Sequence, residues 1–200
     1  MTVPSVRPQP NEDVPIVLPG ERCLLRAFHP GELDALVAAR VADGAFPREE
    51  ADPQARPRLR EQLRRRIERS GRLWDGWLEF AIEADGRLAG DVQARSGRRM
   101  LPPGVWELGI ELYGDELRGR GIGTEATALL TSHLFRDRAA GRVQATTDVT
   151  NEAMRGVLRR LGFTEEGVLR AFMPAGSDPG AARHDYLMIA VTAGDWAQRG

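Results

Sequence analysis

Residues 118–123 read Arg-Gly-Arg-Gly-Ile-Gly and sit between a strand-like run, Gly104–Gly114, and a stretch of helical periodicity that opens at Gly121. No other segment limits the fold so strongly. Glycines at this density permit backbone dihedrals that other residues avoid, so the chain can reverse tightly around whatever lies there. The helix that follows presents amides without internal partners, at the positive end of its dipole. Arg118 and Arg120 add positive charge. Such a strand–turn–helix unit predicts a phosphate or pyrophosphate at the turn. A dinucleotide loop requires G-x-G-x-x-G, but the sixth position here is Thr124, and the flanking βαβ pattern is missing.

The rest of the chain supplies the frame. Arg22–Phe28 reads as a strand, followed by a helical pattern with Leu33, Leu36, Val37 and Val41 on one face. A proline-rich link, Phe46–Pro57, leads to a second helix with Leu59, Leu63 and Ile67 at i, i+4 and i+8, stopped by Gly71. The arginines of this helix read as a solvated face. Two strands flank Asp85-Gly86, a preferred two-residue hairpin turn. After the glycine loop a helix runs to Gly141, then a strand, a helix capped by Asn151 and stopped by Gly162, and two closing strands. This order, β-α-α-β-β-β-α-β-α-β-β, predicts an α/β (α+β) fold: one domain over residues 18–195, with a mixed, mostly antiparallel central sheet and helices on both faces.

Composition excludes several classes. The net charge of -1 leaves no footprint for nucleic acid. All 28 basic residues are arginine, which removes Schiff-base and P-loop lysines. Cys23 stands alone, and with His29, His133 and His184 it makes a poor zinc set, so no metal is expected. No apolar run reaches the ~18 residues that a membrane span needs. Residues 1–17 contain four prolines up to Pro15 and no apolar signal core, the pattern of a disordered tail on a cytoplasmic protein.

The Arg118–Gly123 segment resembles the Q/R-x-x-G-x-G/A motif of the GNAT N-acetyltransferases. ELGIELYGDELRGRGIGTEA is similar to that family's strand, loop and helix around its co-substrate. TNEAMRGVLRRLGF is similar to its asparagine-started helix ending in Gly-Phe. EEGVLRAFM and HDYLMIAV resemble the closing strands of the branch that holds ribosomal-protein N-terminal and spermidine acetyltransferases. The resemblance runs from Arg22 to Val191 in element order and is most specific from Glu107 to Met188. It implies acetyl-coenzyme A as co-substrate. Its pyrophosphate would lie on the amides of Arg118, Gly119, Arg120, Gly121, Ile122, Gly123 and Thr124. Its pantetheine would run beside the strand near Ile110 and Leu112, in a slot between two splayed strands. Asn151 would bond the pantetheine, cap its helix, or both. The acceptor would be a primary amine, either a protein N-terminus or a small molecule. Dimers are common in the family.

The chemistry implied is direct attack of the amine on the thioester, which needs a base for the ammonium. Glu107 and Glu111 are the candidates. They share one face of their strand with Gly109, where a central strand should be apolar. Either that face lines a polar cavity, with Glu107 the stronger candidate, or the glutamates meet arginines near the strand ends. Family members often protonate the leaving thiolate with a tyrosine, but the matching position here is Leu158, and Tyr113 and Tyr186 do not align with it. That departure supports the alternative of a non-catalytic acyl-coenzyme A sensor. Asp148 could orient an amine or simply begin a turn. Asp185 reads as structural. Trp74, Trp77 and Phe46 read as core, and His133 as a surface or packed residue.

Overall fold

The computed structural model of the chain describes residues 14–42, 54–97, 101–174 and 181–199. In chain order its elements are β1 (Leu18–Pro19), β2 (Leu24–Arg26), α1 (Leu33–Ala42), α2 (Ala55–Arg69), β3 (Trp77–Ala84), β4 (Arg87–Arg95), β5 (Val105–Leu112), α3 (Ile122–Asp137), β6 (Arg142–Asp148), α4 (Glu152–Arg160), β7 (Thr164–Pro174), β8 (Arg183–Thr192) and α5 (Ala193–Ala197). Most of the expected tail, residues 1–13, lies outside the described residues, as do Phe46 and most of the loop between β7 and β8.

The β3–β4 hairpin forms where the sequence places it. Asp85 and Gly86 both take positive φ, 51° and 71°, and this turn hand matches the twist of the strands it joins. The eight strands make one sheet in the order β1-β2-β3-β4-β5-β6-β8-β7. Neighbouring strands are antiparallel except for β5 and β6.

Period-2 alternation assigns the faces. Leu78, Phe80, Ile82, Val92, Ala94 and Leu108 point one way and bury against Ile122, Ala126, Leu130 and Leu134 of α3, with Leu158 of α4 and Trp196 of α5 in the same cluster. Phe80, Leu130 and Leu134 are fully buried, and each such side chain contributes roughly 1.5–3 kcal/mol. On the opposite face Ala81 meets Phe28, Leu36 and Val37, and the α2 stripe Leu59, Leu63 and Ile67. The i, i+4, i+8 spacing of that stripe therefore identifies the packed side of α2.

Two elements escape the sequence reading. β1 is two residues long, too short for any periodicity. α5 carries a capping box, in which Thr192 and Asp195 bond reciprocally, hidden directly behind the last strand. Helix α3 also stops at Asp137, before Gly141. Its last turn closes with the Ala140 amide on the Leu134 carbonyl at 3.1 Å, and Ala139 takes the left-handed position at φ 50°.

Candidate active site

β5 and β6 pair over three residues only, Val105–Glu107 with Arg142–Gln144. Beyond that point β5 stays with β4 as far as Leu112, and β6 stays with β8 as far as Asp148. A notch therefore opens past Glu107 and Gln144. Along its β5 side lies a cleft of about 990 Å³, lined by Ile110, Glu111, Leu112, the glycine loop, the first turns of α3, and Asn151, Met154, Val157 and Arg160 at α4.

The floor of the cleft is main chain. Gly119 and Gly121 take φ values of 71° and 82°, which a side chain would strain. Gly121 is the left-handed N-cap of α3, and its carbonyl accepts the first helical bond, from the Glu125 amide at 3.0 Å. The amides of Ile122, Gly123 and Thr124 have no acceptor among the described residues. Gly119, Gly121, Gly123, Thr124 and Arg118 line the cleft. Arg120 and Ile122 do not: the Arg120 guanidinium donates to Asp85 of the β3–β4 turn at 2.7 Å, and the Ile122 side chain is buried in the core. These two positions could offer an anion only their backbone.

Sequence reasoning missed Arg22. It lines the cleft from the β1–β2 turn, and a Cβ built on Gly121 would sit 3.0 Å from its Nε. Glu125 fixes that turn on α3 by accepting the backbone amides of Glu21, Arg22 and Cys23 at 2.9, 2.7 and 2.8 Å. Although burial opposes it, these three amides hold the Glu125 carboxyl below its ordinary range. About one hundred residues separate the partners, and no local pattern links them. Arg22, Arg118 and Arg160 thus surround a bed of unpaired amides, which suits a phosphorylated ligand.

The candidate acids lie on the α1/α2 face of β5. Glu107 accepts from Arg95 at 2.5 Å and from Gln144 at 3.4 Å, at the apex of the notch. Glu111 lines the cleft and is ion-paired with Arg40 of α1. Both glutamates therefore meet arginines, and one of them also borders the cavity. Asn151 caps α4, its Oδ1 accepting from the Met154 amide at 3.1 Å, and also lines the cleft. Asp148 begins a turn, accepting from the Thr150 amide and hydroxyl. Those bonds, with His184, hold its pKa at about 2. Asp185 accepts from the Ala171 amide at 2.7 Å, tying β8 to β7.

Three groups are removed from the chemistry. Leu158 is wholly buried in the core. The Tyr113 hydroxyl donates to Asp91, and burial together with that carboxylate pushes its pKa far above the phenol range, so it is a poor proton donor. Burial and Glu125 push the Cys23 thiol up to about 12, so it is no nucleophile. Among the described residues no histidine, cysteine or carboxylate group of three is placed to hold a metal ion, and no helix is long and apolar enough to cross a membrane.

Residues 22–164 match the acetyltransferase (GNAT) domain family. The chain is 28% identical over 122 residues to YdaF of Bacillus subtilis (strain 168), named as a ribosomal N-acetyltransferase candidate. This match takes in 60% of the chain and spans 61% of the length of that curated relative. Among solved structures, RimJ of Mycobacterium smegmatis in complex with CoA-disulfide is 25% identical. It superposes with a TM-score of 0.66 over 93% of this chain and 91% of that one. An acetyltransferase candidate from T. thermophilus is 24% identical, with a TM-score of 0.69 over 92% and 93% of the two chains.

Proposed function

The chain belongs to the acetyltransferase (GNAT) domain family, and from that premise we propose that it transfers an acetyl group from acetyl-coenzyme A to a primary amine, with the α-amino group of a polypeptide as acceptor. The carrying observation is the row of unpaired amides at Ile122–Thr124, of which Gly123 and Thr124 line a cleft that runs beside β5, past its pairing with β6. The residues fit the co-substrate. Gly119 leaves room for a diphosphate, Gly121 lets Arg22 lie against the loop, Arg22 and Arg118 supply charge, and Ile110, Leu112, Met154 and Val157 offer apolar walls to a pantetheine arm. Bound there, the thioester supplies an activated acyl group.

In this reading the residues hold and orient. The exposed β5 edge beyond Glu107 pairs with the amides of the arm, as Ile110 and Leu112 lie where a strand partner is missing. Glu107 stands at the apex of the notch and takes the ammonium proton. Glu111 anchors α1 through Arg40. An α-amino group near pKa ~8 loses its proton at neutral pH for about 1 kcal/mol, whereas an alkyl amine near ~10.4 costs about 4–5. A base already engaged with Arg95 therefore suits the α-amine better. With Cys23 buried and its thiol protonated, attack is direct.

The relative named for ribosomal N-acetyltransfer supports a protein acceptor. The test is release of free coenzyme A from acetyl-coenzyme A over a panel of peptides and alkyl amines, with mass spectrometry of the products. Turnover on α-amines is expected. Tight coenzyme A binding with no turnover on any amine would replace the enzyme by a sensor. Glu107→Gln should lower kcat/KM about 100-fold, and the loss should shrink as pH rises. Full activity at neutral pH would remove Glu107 as the base.

A further inference from the structure

A second groove, of about 470 Å³, opens on the α2 side of the sheet, away from α3. Gln62, Arg65, Arg66 and Arg69 line it from α2 at spacings i, i+3, i+4 and i+7, one stripe of that helix. Arg72, Trp74, Trp77 and Glu79 complete the walls. The arginines that read as a solvated face are thus partly gathered into a concavity. The tryptophans are not core: Trp74 is 54% exposed and Trp77 41%.

The strand register places this groove beside the notch. Trp77 pairs with Arg95 and Arg95 with Glu107, while Glu79 pairs with Gln93 and Gln93 with Gly109. Directly paired residues share a face, so groove and Glu107 open on the same side, two strands or about 10 Å apart. An extended peptide covers that distance in about three residues.

Charge and ring geometry select the occupant. Four arginines line the groove against two acids, Asp75 and Glu79. Glu79 is taken up internally by Arg66, which also meets the buried Asp91 at 2.8 Å. Among the described residues Arg65 has only exposed Glu61 at 3.0 Å, one turn away on its own helix. The Arg69 guanidinium lies 4.7 Å over the Trp74 ring and the Arg95 guanidinium 6.0 Å over Trp77, so both exposed rings carry a cation on one face. Stacked guanidiniums keep their donor edges available to carboxylates.

Resting on the acetyltransferase reading, we propose that this groove seats the second to fourth residues of the acceptor polypeptide and selects acidic side chains there. Arg65 and Arg69 bind the carboxylates, and Trp74 and Trp77 support the peptide backbone. The chain then acetylates proteins whose N-termini are followed at once by Asp or Glu.

The test compares peptides identical except at positions two to four, with Asp/Glu, Asn/Gln or Lys there. The acidic peptide should show kcat/KM at least 10-fold above its amide counterpart, the difference shrinking as salt rises. In the double variant Arg65→Gln/Arg69→Gln the acidic-to-amide ratio should fall toward one, with coenzyme A affinity reporting that the fold is kept. Equal kcat/KM across the three peptides, or a ratio unchanged in the variant, overturns the proposal while leaving the acetyltransferase intact. Should no peptide be turned over, the enzyme reading fails on its own. The groove is then judged by titrating the same peptides into the coenzyme A complex and following tryptophan fluorescence. Tight, salt-sensitive binding of the acidic peptide alone supports it, and equal or absent binding overturns it.

Discussion

Gly121 meets three demands. Its φ of 82° sets the left-handed cap of α3, its carbonyl receives the first helical bond, and its missing side chain leaves Arg22 against the loop. A valine there would strain the backbone by roughly 1–2 kcal/mol or more and displace the guanidinium 3.0 Å from the added Cβ. Gly121→Val should raise the coenzyme A Kd at least 10-fold with the far-ultraviolet circular dichroism unchanged, and an unaltered Kd by calorimetry would contradict the anion cradle. His133 carries a prediction of another kind. It is buried within α3, accepts from Arg138 at Nε2 over 3.3 Å, and places Nδ1 2.9 Å from Asp137. Burial, reinforced by Arg138, holds its pKa below the ordinary value. Its unfolded form therefore binds a proton first as pH falls, so its contribution is full above about 6.5 and drains away below it. Urea unfolding should show lower stability at pH 5.5 than at pH 7, and His133→Gln should flatten that difference. A slope unchanged in the variant would place the titrating group elsewhere.

At the scale of elements, one buried carboxylate ties both α1 and α2 to the sheet, beside the pairs Arg40–Glu111 and Arg66–Glu79. Asp91 of β4 accepts from Arg40 of α1 at 3.0 Å, meets Arg66 of α2 at 2.8 Å, and receives the Tyr113 hydroxyl. Removing it leaves two guanidiniums short of a partner in a poorly hydrated space. Asp91→Ala should cost about 3–5 kcal/mol in denaturant unfolding, against about 1 kcal/mol for Tyr113→Phe, and a loss below 1 kcal/mol for Asp91→Ala would show that the network is not cohesive. This network also explains what the sequence concealed. The alternation of β5 places Glu107 and Glu111 on one face, and the Gly-rich turn raises the expectation of an anion there. The partners of those groups come from β4, α1 and the β1–β2 turn, at separations of 12, 71 and about one hundred residues. Local periodicity carries no information at that range. The same holds for α2: spacing identified the packed stripe, while the use of Arg65 and Arg69 depends on where Trp74 and Trp77 come to rest. The end of α3 was misplaced because Ala139, lacking the usual glycine, takes the left-handed position.

Over the whole molecule, the sheet is two antiparallel blocks, β1–β5 and β6–β8–β7, joined by a parallel pairing of three residues and by α3 packed across both. The parallel β5–β6 pairing, three residues long, therefore gives way to the wall of the cleft. A ligand lying along the unpaired β5 edge, with α3 amides at one end and α4 side chains beside it, joins the first block to α4, the helix that follows β6 of the second. Binding to the native state alone stabilises it by about 2.7 kcal/mol at 100 times Kd. For a chain of this size that raises Tm by roughly 5–10 °C. Coenzyme A should produce that shift and slow amide exchange at residues 108–112 and 122–124. The Gly121→Val variant at the same concentration should show little of either. Protection confined to α2, or a Tm indifferent to coenzyme A at saturation, would mean that the notch is not where the ligand joins the blocks.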